Sequence, residues 1–376
     1  MTGGSHGPLV AADEGFTHQV VDTFASVGCA DLDWTEKVCG MVAARDGSLQ
    51  VGFGFGKYTN RNIVDGYGGL SRGVEQWTVR ASRRLSNAVD LIDVGPLRYA
   101  VLEPLQRVRI QCLPNAAQPI AYDLELEGVV PCRLEEREDR RTPEGYRHTA
   151  NQLRYHQTGV ARGWIELEGR RHAVTPDGWV MTRDHSWGIR PAVGVPPTDL
   201  PPQRGEGRAM DVLALWNPLL FAQADGGRYA FHQYLLRYSA PGFRHERVQG
   251  AFEYPDGRVE TVRDIVPELR FDPLNRRLLG GRCRVLLPGG VERVITLRPL
   301  QGTGFHLGAG LYHGFDGQFH GSWRGELHLD GEYFADCSRP EAVARLNQFR
   351  DCLVEATDET TGARGWGNCQ TWVAGD

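Results

Sequence analysis

Short runs of alternating apolar and polar residues, cut repeatedly by glycine and proline, dominate the sequence. Tyr122, Leu124 and Leu126 alternate with Asp123, Glu125 and Glu127. In a strand such a run has one apolar and one wet face, because successive side chains point to opposite sides. Three further stretches pair two runs across a glycine turn: Trp164 to Val174 around Glu168-Gly169-Arg170, Asp211 to Tyr234 around Asp225-Gly226-Gly227, and Cys283 to Leu297 around Pro288-Gly289-Gly290. With 47 glycines and 21 prolines, turns and strands are favoured over long helices. The expected fold is all-β and antiparallel.

A chain of 376 residues exceeds what one hydrophobic core usually organises, so two domains are expected. Each half holds enough strand-like runs for its own closed sheet, and closure removes exposed edges. The boundary is placed near Ser239-Ala240-Pro241-Gly242, giving domains 1–240 and 241–376. The proline-rich loop around Pro201 and Pro202 is the alternative, so the window spans 195–245. Helices are expected only near the ends. Phe16, Val20, Val21 and Phe24 share one helical face, and Ser338-Arg339-Pro340-Glu341 reads as a capping box opening a helix with Val343 and Leu346.

The formal net charge of -5 gives no basic field, so nucleic acid is not an expected partner. No apolar run approaches the roughly 20 residues of a membrane helix, and the first residues lack the pattern of a signal peptide; a cytoplasmic protein is expected. The eight cysteines form no C-x-x-C pair and read as reduced, mostly buried thiols. No histidine or cysteine pair has metal-ligand spacing, so no metal and no cofactor are expected. Glu135 to Arg141, with mixed charges, reads as a solvated loop. Nothing in the sequence excludes a homodimer.

A Gly-x-Ser-x-Gly elbow, a Walker loop and a His-Glu-x-x-His helix are all absent from the sequence. Chemistry concentrates instead in Arg183-Asp184-His185-Ser186-Trp187-Gly188-Ile189-Arg190. If this piece is extended, Arg183, His185 and Trp187 point one way and Asp184 and Ser186 the other. A bend at Gly188 would bring acid and ring together, and the spacing leaves both arrangements open. One reading is a buried polar clasp, with Asp184 paired to an arginine and Trp187 filling a barrel end. The other is a proton donor, Asp184 or His185, perturbed by a low-dielectric cavity, with the Trp187 ring facing developing positive charge.

The run Arg183 to Gly188 resembles the signature of the AttH and carotenoid 1,2-hydratase-like superfamily. Val94-Gly95-Pro96-Leu97-Arg98-Tyr99, Leu102-Glu103-Pro104, His320-Gly321-Ser322-Trp323-Arg324-Gly325 and Gly365-Trp366-Gly367 support the resemblance over most of the chain. It implies two lipocalin-like barrels in tandem and a hydrophobic small molecule bound in a barrel or between domains. In hydratases of this group, a histidine and a tryptophan spaced as His185 and Trp187 act with an acid farther along, for which Asp211 and Asp225 are the candidates. Asp225 also fits a plain hairpin turn.

The resulting expectation is a cofactor-independent acid-catalysed hydratase, dehydratase or cyclase acting on an isoprenoid or polycyclic substrate. Asp184, His185 and Trp187 are the catalytic candidates. Arg183, Arg190, Trp164, Trp216, Tyr312 and His313 are the substrate-binding candidates. His320 reads as a satisfied barrel-end residue beside Trp323. A non-catalytic carrier of a lipid, steroid or terpenoid is the alternative, and would show a dry apolar cavity. An interaction module without a ligand would show barrels filled by their own side chains.

Overall fold

The computed structural model describes residues 8–19, 27–88, 90–142, 145–201 and 210–375. Among the described residues strand makes up 57% and helix 6%, far from the roughly one-third helix of an average globular chain. The all-β expectation therefore holds.

Most strands form two curled antiparallel sheets, and Phe305–His306 pairs with Arg350–Asp351 in a short third one. The larger runs in the order Leu327–Phe334, Glu75–Arg84, Ile63–Arg72, Gln50–Tyr58, Trp34–Ala44, Trp179–Ile189, His148–Leu167, Ile120–Gly128, Arg107–Cys112 and Leu97–Glu103. The smaller runs Val259–Thr261, Phe243–Glu253, Arg228–Ala240, Asp211–Ala222, Ala363–Asn368, Leu353–Asp358, Glu292–Pro299, Leu278–Leu286 and Asp264–Phe271, with Gln370–Ala374 also paired to Asp211–Ala222. The chain thus crosses back late to lay Leu327–Phe334 along the edge of Glu75–Arg84, which covers an edge that would otherwise stand open.

All three expected hairpins form. Ile120–Gly128 alternates buried and half-buried positions from Tyr122 onward, as its sequence predicts. Trp34–Ala44 is buried at every position, because both of its faces are covered. One face, with Val38 and Val42, joins the core of the larger sheet. The other, with Met41 and Ala43, packs with Val160 and Val180 against Leu220 and Leu353 of the smaller sheet. A second core around Phe221, Phe231, Phe252 and Ile295 fills the smaller sheet. Each sheet is filled largely by its own side chains, so the space between the sheets becomes the place to look for a site.

Helix is confined to short pieces near the ends. Ala11–Glu14 forms a 3-10 turn, while Val20, Val21 and Phe24 of the expected first helix lie outside the described residues. Pro340–Arg345 is the late helix, with proline in its first turn. Its N-cap is Arg339 rather than Ser338, because the Ser338 hydroxyl donates to Asp336 Oδ1 at 2.6 Å instead of turning back on the helix. No helix among the described residues is long and apolar enough to cross a membrane. All eight cysteines are free thiols, and all but Cys29 are buried.

Candidate active site

Trp179–Ile189 lies between Trp34–Ala44 and His148–Leu167, in a register that sets Asp184 opposite Cys39 and His156, and His185 opposite Val38 and Tyr155. The alternation read from the sequence is real. Gly188 takes a φ of +129°, and a Cβ there would stand 2.1 Å from the Asn151 carbonyl oxygen. Glycine is therefore required for the strands to close at this point, yet the bend does not bring Asp184 to His185.

On the inner face, the Arg183 guanidinium donates to both Glu14 oxygens, at 2.6 and 3.0 Å, and to Gln157 Oε1 at 2.9 Å. Burial raises the Glu14 pKa, and Arg183 more than reverses this, leaving it at about 2. Arg183 is thus a buried clasp holding the N-terminal segment, and the expectation that it binds substrate is corrected. His185 stacks on Phe16 at 4.9 Å and meets the Tyr155 hydroxyl at 3.2 Å. Trp187 stacks on His18 at 3.8 Å.

On the outer face, Asp184 opens into a cleft of about 210 Å3 between the sheets, lined also by Arg154, Arg190, Tyr234, Tyr312 and Phe349. Its carboxyl accepts no hydrogen bond from the described residues. Burial raises its pKa against the pull of Arg154 and Arg190. Arg190 donates to Ser186 Oγ at 2.6 Å and to Gln152 Oε1 at 3.2 Å, and its Nε is buried without a partner. Among the described residues no carboxylate lies within ion-pair distance of it. The cleft therefore presents an open carboxyl and a guanidinium with spare donors.

Behind these groups the walls are held tightly. The Tyr312 hydroxyl meets Cys39 Sγ at 2.6 Å. The Lys37 ammonium sits 3.9 Å from the Tyr312 ring centre and 3.1 Å from His320 Nδ1; burial lowers the Lys37 pKa. Glu135 accepts from Arg154 at 2.9 and 2.6 Å and from the Trp216 indole at 3.0 Å. His156 bridges Glu135 at 3.1 Å and Glu253 at 2.9 Å, joining the two sheets. Burial works against its charge, but Glu253 and Glu135 prevail and hold its pKa at about 9. His232, stacked on it at 3.6 Å, is pushed well below the ordinary histidine value by burial and by the neighbouring imidazolium.

Of the residues singled out from sequence, Asp184, Arg190, Tyr312 and His313 meet in the cleft, while Trp216 backs it. His185 and Trp187 face the other way. Trp164 is on the outer surface of the larger sheet, half-buried beneath Arg171 at 3.9 Å, and is no pocket residue. Asp211 is exposed at a strand start, and Asp225 accepts from Gly227 N in its hairpin turn at 2.8 Å. His320 is buried as expected, although its Nε2 has no partner, and Trp323 is exposed. The solvated loop expected at Glu135 to Arg141 is a second correction. Glu135 and Glu138 are buried, because Arg154 and Arg140 neutralise them, and Glu138 and Arg140 line the cleft. Sequence reasoning also missed Arg154, Cys39 and Lys37; the signal for Lys37 was the adjacent charges Glu36-Lys37 ahead of the apolar run from Val38 to Ala44.

A family profile matches residues 9–367. The chain belongs to DUF8625, a family of unknown function. No curated protein matches it. Among solved structures it is similar to an AttH protein, NE1406 of Nitrosomonas europaea, at 12% identity over 90% of this chain and 92% of that one, with a TM-score of 0.52. It is also similar to kievitone hydratase of Nectria haematococca, at 8% identity over 96% and 95% of the chains and a TM-score of 0.44. CghA bound to Sch210972 matches at 12% identity over 91% and 88%, with a TM-score of 0.47. The likeness to the AttH protein establishes the fold, which is the tandem arrangement the sequence resemblance implied.

Proposed function

We propose that this protein is a lyase or cyclase that works by proton transfer in the cleft, on an isoprenoid or polycyclic substrate carrying an oxygen function. The observation that carries the reading is the Asp184 carboxyl, open to the cleft without a hydrogen bond from the described residues, beside the Arg190 guanidinium, which has no carboxylate partner among them. Asp184 delivers a proton to an alkene carbon or a tertiary hydroxyl. From the alkene, water or an internal double bond closes on the cation; from the alcohol, the protonated hydroxyl leaves as water; in each case the carboxylate takes back the proton that the oxonium adduct or the carbon next to the cation loses. Arg190 holds a substrate oxygen, and Phe349 supplies an apolar wall. The cleft is smaller than the roughly 300–1,000 Å3 of drug-sized ligand sites, so it takes the reacting end of a larger molecule. The polar lining favours this reading over a carrier, which needs a dry apolar cavity. His185 and Trp187 act from beneath, by fixing the strand that carries Asp184.

The test is turnover of a panel of hydroxylated and polyunsaturated terpenoids by wild type and Asp184→Asn. A positioned proton donor is worth roughly 10²–10⁴-fold, so kcat is expected to fall by that factor. The thermal midpoint should stay put, since Asp184 makes no hydrogen bond to the described residues that could be lost. Wild-type turnover by Asp184→Asn contradicts the reading; ligand binding without turnover by the wild type means a carrier.

A further inference from the structure

On the opposite face of the same strand, His18, Glu36 and His185 offer ligand atoms that all lie within 4.8 Å of one another. His18 Nδ1 is 2.5 Å from Glu36 Oε1, and His185 Nε2 is 3.3 Å from the same oxygen. The two rings stand at 90°, so their lone pairs can converge on one point. Two atoms of the group, His185 Nε2 and Glu36 Oε2, are buried with no hydrogen-bond partner. A proton shared between His18 and Glu36 leaves both orphaned, at a cost that buried polar groups rarely bear.

The surroundings have the form of a metal centre. Metal-bound histidines usually give their second nitrogen to an orienting partner. Here His18 Nε2 faces Asp13 Oδ1 at 3.2 Å, and His185 Nδ1 faces the Tyr155 hydroxyl at 3.2 Å. Trp187 and Phe16 pack on the two rings and fix their planes. Lys57 lies close enough to interact with Glu36, and Asp90 acts on Lys57 as well. A divalent ion and Lys57 together are therefore balanced by Glu36, Asp13 and Asp90.

We propose that His18, Glu36 and His185 bind one divalent first-row transition metal ion, with zinc the best fit to two imidazoles and a carboxylate. The ion ties the N-terminal segment carrying His18 to the strands carrying Glu36 and His185. The inference is independent of the proton chemistry proposed for Asp184, which faces away. The other histidine and carboxylate group, Glu135, His156 and His232, is unsuited to an ion. Arg154 already holds the second oxygen of Glu135, and the two rings lie nearly parallel at 17°, so their lone pairs do not converge.

The experiment strips the full-length protein with a chelator, titrates it with zinc chloride, and measures bound zinc by mass spectrometry beside the thermal midpoint. The expected result is about one zinc per chain and a midpoint raised by several degrees, as a ligand of the native state alone must produce. Both should be lost in His18→Ala and Glu36→Gln. Because Glu36→Gln disturbs a buried charge and risks misfolding, His18→Ala, at a half-buried position on the N-terminal segment, is the deciding variant, with circular dichroism confirming its fold. Cobalt in place of zinc should show visible absorption in the wild type and none in His18→Ala. Absence of bound zinc, unchanged zinc binding in His18→Ala, or loss of zinc in His232→Ala instead would each overturn the proposal.

Discussion

The two faces of Trp179–Ile189 carry neighbouring residues into opposite circumstances. Arg183 and His185 point into the larger sheet, where Arg183 is fully paired with Glu14 and buried. Asp184, one residue away, meets the cleft and has no partner for its carboxyl among the described residues. A strand separates adjacent side chains by the thickness of the sheet, so one short run can serve a structural clasp and a reactive group together. The inner face does hold a clasp, made by Arg183 and Glu14 rather than by Asp184, and the outer face is where the proposed proton donor stands.

The contrast can be broken from the inner side first. Removing one member of a buried ion pair leaves the other charged and unpaired, which costs about 3–5 kcal/mol. Glu14→Gln is expected to destabilise the protein by that much in urea unfolding at pH 7. Glu14→Gln combined with Arg183→Met should recover much of it. A small loss in the single variant would mean that the N-terminal segment is not clamped by this pair.

A second, smaller effect belongs to the contact behind the cleft. His156 has its folded pKa raised to about 9, above an unfolded value of about 6.5. Its contribution to stability is therefore fully present below pH 6.5 and is lost as pH rises through about 9, by on the order of 3 kcal/mol. The groups facing it are Glu135, Glu253 and His232, with Arg154 and Arg133 beyond. Unfolding free energies measured from pH 6 to 10 should fall in the wild type and fall less in His156→Gln. Equal slopes would show that His156 is not a charged bridge between the sheets. The smallest stability change, within about 0.5 kcal/mol, is that of Asp184→Asn, and it sharpens the comparison because the same variant is expected to lower kcat by roughly 10²–10⁴-fold.

The architecture was legible because period-two patterning and glycine turns are local signals. Tyr122 to Glu127 and the three hairpins needed no tertiary knowledge, whereas alternation offered the split between Asp184 and His185 but left open a bend at Gly188 that would have joined them. What escaped depended on partners remote in sequence. Glu135 read as solvated because its neutralising arginine at 154 lies on another strand, and Glu138 because its pairing with Arg140 inside the same run does not show in a mixed-charge pattern that also fits an exposed loop. His18, Glu36 and His185 show no ligand spacing, since three separate segments bring them together. Trp164 was misplaced for a different reason: its run alternates, but the pattern does not say which face the indole takes, and Arg171 covers it on the outside.

The most direct test of the central claim is where a ligand sits. A crystal structure with a bound oxygenated polycyclic terpenoid should show it between the two sheets, its oxygen within hydrogen-bond distance of Arg190 and its reacting carbon beside the Asp184 carboxyl. Density inside the larger sheet, against His185 and Trp187 with the cleft empty, would contradict the account.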